Sequence, residues 1–360
     1  MLAPRIRLTA LLAVSGCFVD NGVGTTAGSS TSAASTSSGT EDAPPPSTTA
    51  GDTTTAPDAT TTSDTTSGSP QGLECVTAPC FNVINGCLGP LWIHAANSEV
   101  VLGPDNVILA AGASQQFAVP AEWPAGRVNA YWLEPDANPE AHDKVEVTVL
   151  DGSMNYSITY VDYVGLPVEM VAVGPECSTT PDFEPTIGCY VAREELLKGC
   201  PDELRSDDRC LSASVYCADP AHKDLPYCHA LDDRIAECVD KNPETCGVAG
   251  TLGDSTPNVY ACSGYFDSQP PNCTPAGPDC HLEGNKWCAA LNRGMVTDPD
   301  SSDSAAYYQT APFNTYAKWV HDTCPGIHAF PYDDDPSNIS QSGSRACKAD
   351  RLDITFCPVG

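Results

Sequence analysis

Basic residues are scarce in this chain. Lys and Arg number 17 against 47 Asp and Glu, a formal net charge of −30. A surface of that sign repels phosphate backbones, so nucleic acid is not an expected partner. The acidity serves solubility first. Long apolar runs are missing too: beyond the N-terminal segment, nothing approaches the roughly 20 residues of a bilayer-spanning helix. No C-x2-C pair and no tight Cys/His quartet occurs, which argues against a zinc cluster; no metal is expected. G-x-S-x-G, H-E-x-x-H and P-loop signatures are absent, and no cofactor is expected. His222, His229, His281, His321 and His328 are scattered among loops and a helix and read as structural.

Cysteine, by contrast, is abundant. Nineteen in 360 residues excludes a reduced cytosol. Setting Cys17 aside leaves eighteen, an even number that suits a disulfide framework. Arg5 and Arg7 precede a short apolar run, Leu8 to Val14, and then Val14-Ser15-Gly16-Cys17. A basic start, a short apolar stretch and small residues describe an export signal. The cysteine after the small residues resembles a bacterial lipobox, in which the thiol is acylated and the peptide is cut before it. That resemblance implies lipid attachment at Cys17 and membrane contact through the anchor only. Phe18, not an aspartate, follows the cysteine, which favours the outer membrane or cell surface of the bacterial envelope. An ordinary secretory signal with a coincidental cysteine is the alternative.

Residues 1–16 are thus expected to be a signal peptide, 17–70 a tether and 71–360 the folded domain. The stretch 18–70 holds 25 Ser or Thr among 53 residues and almost no large apolar side chain. Nothing in it offsets the entropy of ordering, so a disordered tether is expected.

From Phe81 short apolar-rich runs appear, and several alternate with period two. In Lys144-Val-Glu-Val-Thr-Val149 the valines face one way and the polar residues the other. The runs 81–85, 91–96, 115–120, 127–133, 144–150, 156–163 and 168–173, punctuated by Gly, Pro, Asn and Asp, predict an antiparallel sandwich or barrel without helices before residue 190. A cysteine-rich lobe follows, about 177–290, with helices expected over 193–200 and 230–239. Another helix is predicted at 315–323, ended by Pro325, and the chain closes with a strand at 352–356.

Specific segments then point to a family. Tyr316-Ala-Lys-Trp-Val-His-Asp-Thr-Cys324-Pro325, followed by Tyr332-Asp333-Asp334 and the ending Ile354-Thr-Phe-Cys357-Pro358, resembles the thaumatin-like family. Phe81 to Cys87, Tyr160-Val-Asp162 with Gly165-Leu-Pro167, and the Cys189, Cys200, Cys210 region are similar to its earlier segments. The resemblance implies a mainly β, antiparallel thaumatin-like sandwich with disulfide-stapled loop and helix lobes. It also implies the pairs Cys87–Cys357, Cys177–Cys347, Cys189–Cys324 and Cys200–Cys210. The other ten cysteines stay unassigned, though Cys75 and Cys80 are close enough for a local bridge. The stretch 217–262 looks expanded relative to the family.

The same resemblance implies an acidic cleft that binds, and in some members cuts, β-1,3-glucan. Carried over residue by residue, it gives Glu146 and Asp162 as the acidic pair, Arg127 as the basic residue, and Ser157 where the family has an aspartate. Chemically, glycoside hydrolysis needs two carboxyl groups facing one sugar bond, and these two are expected on neighbouring strands. The consecutive Asp333, Asp334 and Asp335 could hold a cation but are explained more simply by a turn before Pro336. The leading expectation is a monomeric surface protein that binds an extracellular polysaccharide of the β-glucan class. An endo-β-1,3-glucanase using Glu146 and Asp162, or a protein-binding hydrolase inhibitor, are the alternatives.

Overall fold

A computed structural model describes residues 74–359 except 137–138, 140, 178–183, 244–245, 247–254, 267–277, 300–302 and 334–342, and except the side chains of 278–283. Cys17, the expected tether, Cys273, Asp334 and Asp335 lie outside the described residues. Among the described residues no helix is long and apolar enough to cross a membrane. The described residues belong to one compact unit, Leu73–Gly360.

Two sheets carry the fold. The first has five strands: β1 (Cys80–Asn85), β4 (Ser114–Ala118), β9 (Val168–Val173), β10 (Thr186–Gly188) and β13 (Arg351–Phe356), in the order β10-β9-β13-β1-β4. β1 and β13 run parallel, and the other neighbours are antiparallel. The second sheet has six strands, in the order β12-β7-β6-β5-β2-β3. They are β2 (Leu91–Ala96), β3 (Val107–Leu109), β5 (Trp123–Tyr131), β6 (His142–Leu150), β7 (Ser153–Thr159) and β12 (Ser344–Lys348), all antiparallel. A short pair, β8 (Tyr163–Val164) with β11 (Cys210–Leu211), links the end of β7 to the cysteine-rich region.

Alternation explains the layers. Val145, Val147 and Val149 of β6 are buried, while Lys144, Glu146 and Thr148 between them are half-exposed. The buried row packs with Phe81, Val83, Leu352 and Ile354 from the five-stranded sheet in one apolar core. Phe81 and Trp123 join the sheets directly, their ring centroids 5.3 Å apart. A bulge between Trp123 and Gly126 lets β5 turn there, and Ala125 takes a φ of 49°. Gly126 has no substitute at this point: a Cβ would sit 2.0 Å from the Trp123 ring.

The predicted run 156–163 is one strand in expectation and two pieces in fact. β7 stops at Thr159 because the backbone N–H of Tyr160 donates to the carbonyl of His328, and the chain turns before β8. The strands β3, β10 and β12 are too short or too polar to announce themselves in sequence.

Helices are small and begin at α1 (Arg193–Lys198), with α2 (Ala213–Ala218) and α3 (Asp232–Lys241) after it. A helix Thr315–Thr323 is capped by Asn314, whose side chain accepts from the Ala317 N–H. Disulfides tie the parts: Cys75–Cys80, Cys87–Cys357, Cys177–Cys347, Cys189–Cys324, Cys200–Cys210, Cys217–Cys228, Cys238–Cys246 and Cys262–Cys288. The Cys87–Cys357 bridge spans 270 residues. Loop-closure entropy for so long a loop makes Cys87→Ser with Cys357→Ser cost about 5 kcal/mol, read as a lower urea midpoint under non-reducing conditions.

Candidate active site on the open face of the six-stranded sheet

The polar side of β6 lies on the sheet face turned away from the core. Cross-strand pairing arranges it in rows. Ala96, Arg127, Glu146, Ser157 and Ser344 form one row across β2, β5, β6, β7 and β12. His94, Asn129, Lys144 and Thr159 form the next.

Glu146 sits at the centre of the first row, its side chain 26% exposed. One carboxylate oxygen lies 3.4 Å from Nε of Arg127, and the other accepts from Oγ1 of Thr159 at 3.2 Å. Lys144, two residues along the same face, donates from Nζ to Oδ2 of Asp162 at 2.5 Å. Asp162 is the more open carboxylate, with 42% of its side chain exposed. The two carboxyl groups expected from sequence therefore open onto one stretch of sheet, each beside its own cation. Asp162 is not on a strand, however. It sits in the turn between β7 and β8, so its position depends on what holds that turn.

Asp143 holds it. This side chain points to the opposite face of β6 from Lys144 and is fully buried. Its Oδ2 accepts the backbone N–H groups of Gly165, at 2.8 Å, and Leu166. The Ser212 N–H donates to the Asp162 carbonyl at 2.8 Å and clamps the turn from the other side. A Cβ at Gly165 would lie 2.2 Å from the Trp132 ring, so only glycine allows this close approach. Burial pushes the Asp143 carboxyl up to about 7, against the lowering effect of the two N–H donors and of Arg193 and Arg209. Its folded value thus exceeds the unfolded value of about 3.9. Stability from this group is complete below about pH 4 and declines as pH rises through about 7, by about 4 kcal/mol over the window. Asp143→Asn, which mimics the protonated acid, should flatten that slope when urea midpoints are compared at pH 4 and pH 7.

Arg127 and Glu146 pair directly across β5 and β6, and Ser157 faces Glu146 from β7 but is buried. Lys144 and Thr159 were not singled out in the sequence, although the alternation that exposes Glu146 exposes Lys144 as well. Asp333 takes no part here: it is buried, with Oδ1 3.1 Å from Nη2 of Arg293 and Oδ2 2.8 Å from Nε2 of His321. Among the described residues no group of His, Cys, Asp or Glu is arranged to hold a metal ion.

A family model described as a β-1,3-glucanase of glycoside hydrolase family 64 matches residues 254–351. Three solved structures extend the likeness to most of the chain. A β-1,3-glucanase domain of family 64 from Clostridium beijerinckii aligns over 79% of this chain and 99% of its own, with TM-score 0.59 and 16% identity. A laminaripentaose-producing β-1,3-glucanase in complex with laminaritetraose aligns over 78% and 99%, with TM-score 0.56 and 15% identity. A third, the family 64 laminaripentaose-producing enzyme from Paenibacillus barengoltzii complexed with laminarihexaose, covers 77% and 74%, with TM-score 0.50 and 18% identity. The fold is that of family 64 β-1,3-glucanases. The thaumatin-like assignment expected from the cysteine and aromatic segments is corrected accordingly: the matched family model and the structures aligning with over three quarters of this chain are glucanases. The physical reason is that the quoted segments are short, and a β-sandwich stapled by disulfides imposes similar local patterns on more than one family. No curated protein matches the sequence. The family-model match begins after Glu146 and Asp162, so these two rest on their own geometry.

Proposed function

We propose that the protein is an endo-β-1,3-glucanase whose carboxyl pair is Glu146 and Asp162. The observation that carries this is the pair itself: Glu146 on the open sheet face, braced by Arg127 and Thr159, and Asp162 in the turn beside that face, braced by Lys144. Two carboxyl groups beside one sugar bond are what glycoside hydrolysis requires, one as acid and one as base or nucleophile. The likeness in fold to enzymes whose structures hold laminarin-type oligosaccharides supports the substrate class. Binding without cleavage, the leading expectation from sequence, ranks second for the same reason. The inhibitor reading rested on the thaumatin-like resemblance and loses its support with it.

The test is incubation of the protein with laminarin, followed by reducing-sugar assay and chromatography of the products. Release of oligosaccharides is expected. Retention on insoluble β-1,3-glucan without release would reduce the activity to binding, and a protein that shows neither release nor retention would discard the carbohydrate reading. Export and lipid attachment at Cys17 remain part of the proposal. Labelled palmitate should enter the wild-type protein in a bacterial host and not Cys17→Ser.

A further inference from the structure

A third row crosses the same open face. Ile108 of β3 pairs with Trp92 of β2, Trp92 with Tyr131 of β5, and Tyr131 with His142 of β6. Tyr131 lies against the His142 ring, centroids 4.6 Å apart, and Tyr163 meets His142 edge-on at 5.7 Å. Ile108 is 63% exposed, and Trp92 and Tyr131 are half-buried. From His142 to Glu146 is four residues along β6, about 13 Å at ~3.3 Å per residue. The polar row of His94, Asn129 and Lys144 lies between.

This row is uncharged. Burial holds the His142 imidazole neutral, lowering it to about 4. Nδ1 lies 2.9 Å from the Pro139 carbonyl, and the Tyr163 hydroxyl lies against the ring, 3.2 Å from Nδ1 and 3.4 Å from Nε2. Aromatic faces beside polar groups suit a sugar ring, whose C–H face is apolar and whose rim is hydroxylated. A charged polymer would find no partner in this row, whereas a neutral one would.

We propose that Trp92 and Tyr131 form a stacking platform for a glucose ring of the β-1,3-glucan chain a few sugar units away from the bond held at Glu146 and Asp162. The platform is continuous with the carboxylate rows on one sheet face, so a single extended chain can occupy both. It rests on the glucanase reading and adds to it a determinant of preferred chain length.

The test is calorimetric titration of the full-length protein carrying Glu146→Gln, which leaves the sugars uncut, with laminaritriose and laminarihexaose. This parent should gain affinity from triose to hexaose. Trp92→Ala and Tyr131→Ala added to it, on different strands, should each lose about tenfold of that gain in protein that remains folded by circular dichroism. Tryptophan fluorescence of the intact protein supplies an independent reading: hexaose should shift the emission, and Trp92→Phe should remove the shift. A full hexaose gain in the folded variants would overturn the platform while leaving the glucanase proposal standing. Wild-type cleavage of laminarin with no gain in affinity from triose to hexaose in the Glu146→Gln parent would do the same. Absence of binding to either sugar by that parent, together with absence of cleavage by wild type, would overturn both.

Discussion

Glu146→Gln should lower laminarin hydrolysis by about a thousandfold or more while leaving the fold intact. The size follows from what positioned proton transfer contributes, roughly 10²–10⁴-fold, before any nucleophilic role is added. The amide keeps the side chain's shape and can still accept from Thr159, but it loses the charge that Arg127 faces and cannot give or take the proton. Asp162→Asn should do the same, and it also releases Lys144 from its charged partner. Because both side chains are partly exposed, neither change opens a core cavity, and the thermal midpoints should move little. The decisive measurement is the initial rate of reducing-sugar release from laminarin at equal protein concentration. Wild-type rates in both variants would remove this pair from the chemistry, and a loss in only one would reassign the other to binding.

Among single substitutions, the largest expected effect on stability lies elsewhere. Asp333→Asn should cost about 3–5 kcal/mol, the usual consequence of breaking a buried ion pair from one side. Arg293 and His321 both approach this carboxylate, and the Ala329 N–H donates to it at 2.8 Å. The Tyr308 hydroxyl lies 2.8 Å from Nδ1 of His321, and Arg293 stacks over Tyr307 and Phe330, so the cluster joins Arg293, just past the helix Pro278–Asn292, to the helix Thr315–Thr323 and the stretch Ala329–Asp333. An asparagine would turn an NH2 toward Arg293 or His321 and strand a buried cation. Burial alone would raise the Asp333 carboxyl, but His321 and Arg293 hold it down at about 2. Its folded value lies below the unfolded one of about 3.9. Its stabilisation is therefore present above about pH 4 and is lost as pH falls toward 2. Urea midpoints of wild type and variant should differ most at neutral pH and converge in acid.

Much of the fold is legible in the sequence where periodicity is clean. The runs 91–96 and 168–173 match β2 and β9, and the run 315–323 matches its helix, because each carries apolar residues at one period and ends at a turn residue or proline. The mainly β, disulfide-rich class follows from the same runs and the cysteine count. Legibility fails where context decides. β12 is a polar strand, Ser344–Lys348, that exists because β7 offers it an edge. The thaumatin-like resemblance fails because short cysteine and aromatic segments report stapled loops, and these do not distinguish one β-sandwich from another.

The candidate site divides along the same line. The family resemblance supplied Glu146 and Asp162 as the acidic pair, and alternation on the Val145-Glu146-Val147 strand turns Glu146 outward, whereas Asp162 lies in a turn that no period fixes. Alternation is local, set by two residues of chain. Their environment is not local. Thr159, 13 positions from Glu146, and Lys144, 18 from Asp162, meet them only through the pairing of β6 with β7 and the turn that Ser212 clamps at the Asp162 carbonyl. The aromatic row of Trp92, Tyr131 and His142 needs three strands brought into register before it exists at all. Chemistry-bearing residues and strand faces were thus determined by the sequence alone, because they depend on side-chain type and the period of the chain. Which of them stand together was decided only by the tertiary structure, because cross-strand register sums contacts across the whole sheet.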